Sequence, residues 1–281
     1  MDTIAVIGAG TMGNGIAQVA SEAEYNVLLC DINEEGLNKG LNRIEKTLRR
    51  NVEKEKIDQA AADGIRDRIT ATINMEDVKD ADVVIEAIIE KIEPKKELLA
   101  SLDRICKPSA IFASNTSGLS ITEMAGAVSR SGQVIGTHFF NPVPVMPLVE
   151  VVRGAQTSDE TFETAHRLVK EFNKTAISVE DAPLFAVNRI LVPMINEAIF
   201  VLGEGIASAE DIDEGMKLGA SHPIGPLALA DLIGLDTTLF VIETLYTETN
   251  DSKYRPAPLL KKYVRAGRLG RKSGQGFYSY E

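Results

Sequence analysis

The stretch Gly8-Ala-Gly-Thr-Met-Gly13 constrains this chain most. It follows Thr3-Ile-Ala-Val-Ile7, a short β-branched run that reads as a buried strand, and it opens a helical pattern over 11–22. In a G-x-G-x-x-G turn the first glycine permits the tight bend. The second lets the backbone approach a pyrophosphate, and the third allows the helix to pack closely on the strand. The phosphates would then sit on the N–H groups at the helix start, which makes Gly8, Gly10, Thr11, Met12 and Gly13 candidate cofactor-binding residues. A second strand, 26–30, ends at Asp31. An acidic side chain there accepts hydrogen bonds from both ribose hydroxyls of NAD and repels the 2′-phosphate of NADP. Taken singly, the glycines fit a plain turn and Asp31 fits a helix N-cap; standing in register, they point to a dinucleotide site.

The remaining pattern places this turn in an α/β, Rossmann-type domain. A helical region over 34–68 breaks near Ile57 or Asp58. Val83-Val-Ile-Glu-Ala-Ile-Ile89 reads as a buried strand, 94–105 as a helix, and 110–113 as a strand running into Ser114-Asn-Thr-Ser117. Strands then alternate with loops to about 152, followed by a helix over 158–173 and a last strand over 176–179. Such alternation predicts βαβ units and a mostly parallel sheet. After Asp181 only helices are predicted, over 186–203, 208–219, 225–248 and 257–266, with Ser208 and Asp211 as a capping pair. The expected division is an NAD-binding domain, 1–183, and an all-helical domain for substrate binding and dimerisation, 184–281, with the active site in the cleft between them.

Composition narrows the function classes. A net charge of −11 argues against nucleic-acid binding. No apolar run approaches the ~20 residues of a membrane span. The first residues enter a strand without a basic leader, so no signal peptide is expected. The two cysteines, Cys30 and Cys106, give neither a disulfide framework nor a metal site. The expectation is a cytoplasmic protein without metal.

Oxidation of an alcohol by a nicotinamide needs a base, and histidine suits that task near neutral pH. Of the three histidines, His166 falls in a helix and His222 precedes Pro223 in a turn. His138 ends an apolar run, where ligands of open α/β sheets bind. If 136–152 forms two strands around the Pro-rich loop at Asn141–Val145, His138 falls opposite Glu150, about 5 Å apart at Cβ. The same letters fit a loop histidine and an edge-strand glutamate. Ser114-Asn-Thr-Ser117 supplies small polar groups to such a site. A serine nucleophile has no support, since no G-x-S-x-G elbow is present.

Five segments together make the chain resemble the short-chain L-3-hydroxyacyl-CoA dehydrogenases, in particular the bacterial 3-hydroxybutyryl-CoA branch. They are 4–13, Ser114-Asn-Thr-Ser117, His138-Phe-Phe-Asn-Pro142, Asn188-Arg-Ile-Leu-Val-Pro193 and 269–278. The resemblance implies that His138 is the general acid/base and that Glu150 fixes its tautomer. It implies that Ser117 bonds the reacting oxygen and that Asn188 orients the substrate carbonyl. Asp31, Glu90, Lys95, Asn115 and Asn141 match the family's NAD contacts, and Ser117 and His138 border the same cofactor. By residue alone, Glu90 also fits a strand-end cap and Lys95 a solvated helix. An acyl-CoA substrate needs a local basic surface, and 43–56 holds Arg43, Lys46, Arg49, Arg50, Lys54 and Lys56 against three glutamates. Arg50 and Lys54 are the expected CoA contacts; a merely solvated helix face is the other reading.

Two competing readings remain: a dehydrogenase of a free hydroxy acid or sugar acid, and a non-catalytic NAD-binding protein. The basic segment favours CoA over the first, and the Ser117–His138–Glu150–Asn188 set argues against the second. An apolar second domain, with Ile190, Ile195, Ile199, Leu227, Leu232 and Phe240, is read as dimerising. One departure from the family is Pro183-Leu184-Phe185, where a glycine is usual in the middle. Leucine carries a Cβ, so a negative φ and a side chain packed at the domain junction are expected for Leu184.

Overall fold

The computed structural model describes residues 1–280, in two units that divide between Ala182 and Pro183. The first runs β1 (Thr3–Ile7), α1 (Thr11–Glu22), β2 (Asn26–Cys30), α2 (Glu34–Glu53), α3 (Gln59–Asp67), β3 (Ile69–Thr72), β4 (Val83–Glu86) and α4 (Ile92–Ile105). It continues with β5 (Ile111–Ser114), α5 (Ile121–Ala125), β6 (Val134–Phe139), β7 (Leu148–Arg153), α6 (Asp159–Glu171) and β8 (Thr175–Glu180). The second holds α7 (Val187–Gly203), α8 (Ala209–Gly219), α9 (Pro226–Ile233), α10 (Leu235–Thr249) and α11 (Pro258–Arg265).

The strands form one eight-stranded sheet in the order β3-β2-β1-β4-β5-β6-β7-β8. Every neighbouring pair is parallel except β6 and β7. From β1 the chain crosses first to β2 on one side and later to β4 on the other, the strand-order reversal beside which ligands bind in open sheets. The register aligns Ile7 with Cys30 and Glu86, Glu86 with Ser114, and Ser114 with Gly136. The carboxyl ends of β1, β4 and β5 therefore share one edge, and His138 stands two residues past that edge on β6. Because helices cover both faces, the central strands are apolar throughout: Ile4, Ala5, Val6, Val83, Val84 and Ile85 are all buried. Side-chain oxygens of Asn33, Ser158 and Ser208 cap α2, α6 and α8, the last through Asp211 N–H at 3.1 Å.

In the second unit two buried aspartates tie down the C-terminal segment. Asp231 accepts from the N–H of Phe277 and Tyr278, at 3.0 and 2.9 Å, and from the Tyr280 hydroxyl at 3.0 Å. Asp213 accepts from Leu227 and Ala228 N–H and from the Tyr278 hydroxyl. The 269–278 segment thus has a structural duty on α9.

Several expectations need correction. The strand at 83 stops at Glu86 rather than 89, because Ala87 turns against the glycine loop; a Cβ on Gly8 would lie 2.7 Å from Ala87 O. The helix expected over 225–248 is two, parted at Gly234, whose φ of 104° no helix accepts. The short strand β3 has too little apolar alternation to be read as one. Of the apolar residues assigned to dimerisation, Ile195, Ile199 and Leu227 are core, whereas Ile190, Leu232 and Phe240 are exposed. Leu184 is buried as expected, in the core of the second unit, but its φ is +60°, not negative, and Phe185 follows at +57°. The backbone keeps the conformation that suits glycine. Packing of the leucine, worth about 1.5–3 kcal/mol, offsets a left-handed cost of roughly 1–2 kcal/mol.

This balance reverses the usual order of two substitutions. Leu184→Ala loses packing, about 2–5 kcal/mol for a core leucine, and keeps the left-handed strain, whereas Leu184→Gly loses the packing and relieves the strain. Denaturant unfolding should find Leu184→Gly at least as stable as Leu184→Ala; an alanine variant clearly more stable than the glycine one would show that φ carries no cost here.

Candidate active site

The glycine turn is shaped by contacts that exclude side chains. A Cβ on Gly13 would stand 1.7 Å from Gly8 O, so only glycine lets α1 approach β1. Gly10 differs: nothing lies within 4 Å of where its Cβ would be. The open space there lies over the N-terminus of α1, which has no side-chain cap and no acidic residue in its first turn. Its N–H groups, including those of Thr11 and Met12, suit an anion. Asp31 Oδ2 accepts from Ala9 N–H at 2.8 Å, so the end of β2 braces the turn. A bare helix start, room for a phosphate and a carboxylate at the neighbouring strand end fit a dinucleotide.

The Ser114–Ser117 loop follows β5 at the same edge. Asn115 is buried, and its Oδ1 accepts from Phe139 N–H at 3.0 Å, tying the loop to the residue after His138. Glu90 Oε1 accepts from the Thr116 hydroxyl at 2.6 Å and from Ser117 N–H at 2.7 Å. Ser117 itself is exposed. Lys95 does not lie on a solvated helix face: it is 1% exposed, and its Nζ stands 2.7 Å from both Glu86 oxygens and 3.4 Å from Glu90 Oε2. Glu86 was not foreseen as a site residue, although a lone acid inside Val83-Val-Ile-Glu-Ala-Ile-Ile89 was the signal.

His138 and Glu150 are opposed residues of β6 and β7. Nδ1 of the ring lies 2.7 Å from Glu150 Oε2, and both residues are buried. An ionised carboxylate only accepts, so opposite one this bond puts the ring proton on Nδ1 and leaves Nε2 as the acceptor of a neutral imidazole. The Phe140 ring packs on the imidazole, centroids 4.5 Å apart. His166, on α6, instead lies beside Ser178 of β8, where burial and then Lys170 push its pKa down. The thiols offer no competing chemistry: burial pushes both Cys30 and Cys106 up to about 11. Among the described residues no group of His, Cys, Asp and Glu could hold a metal.

The structure therefore links Glu90, Lys95, Asn115, Ser117, His138 and Glu150 through hydrogen bonds and short chain segments, near the Gly8–Gly13 and Asp31 cluster. Asn141 is exposed just beyond β6 and, with Thr11, Asn14, Arg43 and Lys46, borders a cavity of about 270 Å³. Arg50 and Lys54 are exposed on α2 and its C-cap and do not line that cavity. Asn188 lies in the first turn of α7, in the second unit.

Comparison with known proteins bears on both units. The family 3-hydroxyacyl-CoA dehydrogenase, NAD binding domain, matches residues 3–182, and 3-hydroxyacyl-CoA dehydrogenase, C-terminal domain, matches 185–280. A probable 3-hydroxybutyryl-CoA dehydrogenase of Bacillus subtilis (strain 168) is 53% identical over 278 residues, 99% of this chain and 97% of its own. The 3-hydroxybutyryl-CoA dehydrogenase of Clostridioides difficile is 50% identical over 277 residues, 99% of each chain. The crystal structure of (S)-3-hydroxybutyryl-CoA dehydrogenase from Ralstonia eutropha matches with a TM-score of 0.98 and 52% identity, over 100% of this chain and 99% of that one.

The glycine geometry predicts a split between two alanine substitutions. Gly10→Ala should fold normally and weaken NADH binding by roughly tenfold, since a methyl intrudes where the backbone must meet phosphate. Gly13→Ala should fail to fold stably. Fluorescence titration of NADH and thermal melts test both; tight NADH binding by Gly10→Ala would place the phosphates elsewhere.

Proposed function

The chain belongs to the 3-hydroxyacyl-CoA dehydrogenase family, and on that premise we propose that it interconverts (S)-3-hydroxybutyryl-CoA and acetoacetyl-CoA with NAD. The observation that carries the reading is the buried 2.7 Å bond between His138 and Glu150, beside the sheet edge that bears the glycine turn. NAD, when bound, accepts or supplies the hydride. Gly8, Gly10, Thr11, Met12 and Gly13 hold its phosphates and Asp31 its ribose; Glu90, Asn115 and Asn141 border the rest. His138 takes the 3-hydroxyl proton at Nε2, and Glu150 offsets the charge that the ring gains. Ser117 holds the reacting oxygen, and Asn188 orients the thioester carbonyl. Arg50 and Lys54 belong to the basic segment that would meet the CoA phosphates, and Arg43 and Lys46 stand closer to the glycine turn.

The NAD-binding domain is residues 1–183 in this reading, and the helical remainder binds substrate and forms a homodimer. Exposed Ile190, Leu232 and Phe240, at 73%, 53% and 59%, support an apolar subunit contact. No helix among the described residues is long and apolar enough to cross a membrane. Two unpaired thiols suit a reducing compartment, and the cytoplasm is the proposed location.

A spectrophotometric assay of NADH oxidation should show turnover with acetoacetyl-CoA and little with free acetoacetate; the reverse preference would favour a free-acid dehydrogenase. His138→Asn should leave NADH affinity near normal and lower kcat by ~10²-fold or more, with a comparable loss in Glu150→Gln. Near-normal turnover in either variant removes that residue from the mechanism. NADH should be preferred over NADPH, because Asp31 meets the 2′-phosphate with a like charge that costs several kcal/mol. Asp31→Ala should narrow the preference by improving NADPH.

A further inference from the structure

Glu86 ends β4 in the middle of the sheet and is fully buried. A carboxylate in that position is costly unless its charge is matched and its lone pairs are used. Both conditions hold. Lys95, itself 1% exposed, reaches across from α4 and gives its ammonium to both carboxylate oxygens at 2.7 Å. The Ser114 hydroxyl donates to Oε1, and Ile88 N–H donates to Oε2 at 3.3 Å. Ser114 is the register partner of Glu86 across β4 and β5. Its oxygen in turn accepts from Thr116 N–H at 3.2 Å, and Asn115 N–H donates to Glu86 O at 2.9 Å.

The same ammonium also faces Glu90 Oε2 at 3.4 Å, while Glu90 Oε1 holds the Thr116 hydroxyl and Ser117 N–H. Thr116 Oγ1 accepts from Leu119 N–H at 2.9 Å, which closes the turn beyond Ser117. The loop that presents Asn115 and Ser117 is therefore fastened at its start by Glu86 and at its end by Glu90, with Lys95 drawing the two carboxylates together. Nothing else in the described structure needs a buried charge at this strand end; an apolar residue would pack the sheet at lower desolvation cost.

We propose that Glu86 and Lys95 are positioning residues for the reaction: a buried ion pair that sets the Ser114–Ser117 loop so that Asn115 and Ser117 meet cofactor and substrate. Lys95, which also matches a family NAD contact, acts on the loop through Glu86 and Glu90. The inference rests on the dehydrogenase reading, and it assigns to Glu86 a part in that activity. Misplacement of a bound group by about 1 Å can lower a rate roughly a hundredfold, so a loop released from this anchor loses kcat more than it loses cofactor affinity.

The test is a double-mutant cycle. Single removal of Glu86 or Lys95 strands a buried charge, so the neutral pair Glu86→Gln/Lys95→Met is made with and without Ser117→Ala. Folding is followed by circular dichroism and melting, and kcat and KM by NADH oxidation with acetoacetyl-CoA. In the wild-type background Ser117→Ala should lower kcat about tenfold or more. In the Gln/Met background kcat should already be low and should fall by more than KM for NADH rises, and Ser117→Ala should add little, because coupled residues are not additive. A full independent loss from Ser117→Ala in that background, or a Gln/Met enzyme with normal kcat, overturns the proposal. If the Gln/Met protein does not fold, the cycle is run with Ser114→Ala, which removes the hydroxyl that joins Glu86 to Thr116 N–H and leaves the ion pair in place; additivity there overturns it equally. A wild-type protein without NADH-dependent turnover of acetoacetyl-CoA refutes the dehydrogenase reading instead, an outcome separate from all of these.

Discussion

Glu150 reaches the His138 ring because β7 runs against β6, in a sheet whose other neighbours all run parallel. In an antiparallel ladder, opposed residues share a face and stand close enough for one hydrogen bond. A slip of one residue would turn Glu150 to the other side of the sheet and leave both polar groups buried without each other. The pairing is held by apolar residues on either side of it: Phe139 and Val149, Val151 and Val152 are all buried. The proposed proton exchange thus depends on a register that hydrophobic packing enforces.

The rest of the site repeats this arrangement at other strand ends. Charged groups at strand ends are held by partners from a different element: buried Glu86 by Lys95 of α4, half-buried Asp31 by the turn after β1. In a medium of low dielectric such contacts are stiff, since a buried charge that loses its partner has no water to replace it. A loop such as Ser114–Ser117, with small side chains and little apolar area of its own, gains its rigidity from these bonds. The protein buries Glu86 and Lys95 in the dry sheet and keeps Ser117 exposed.

Much of this was legible in the sequence. The glycine turn, Asp31 and the strand–helix alternation specify a dinucleotide-binding sheet through short-range rules: β-branched runs for buried strands, glycine where a helix must touch a strand. The opposition of His138 and Glu150 was also legible, since it follows from the loop between two apolar runs. Less was visible where two readings cost about the same locally. Nothing local to Lys95 distinguishes a solvated helix lysine from a buried one; its fate depends on Glu86, nine residues away on another element. Gly234 was hidden inside an apolar run that reads as one helix. Leu184 ran against its own propensity, because the unit that packs its side chain overrode the backbone preference of a single residue.

By itself the sequence determined the kind of fold and the cofactor class, because each is written in patterns that span a few residues and follow backbone sterics; His138 stood out as the proposed acid/base by its place at a strand end and by the family resemblance. Only the tertiary structure decided which charges are buried, that Arg43 and Lys46 rather than Arg50 and Lys54 border the cavity beside the glycine turn, and that leucine sits where the backbone suits glycine. Those outcomes depend on contacts between residues far apart in the chain. The energy of a buried charge or a left-handed residue comes from what surrounds it, and a sequence does not contain its surroundings until it has folded.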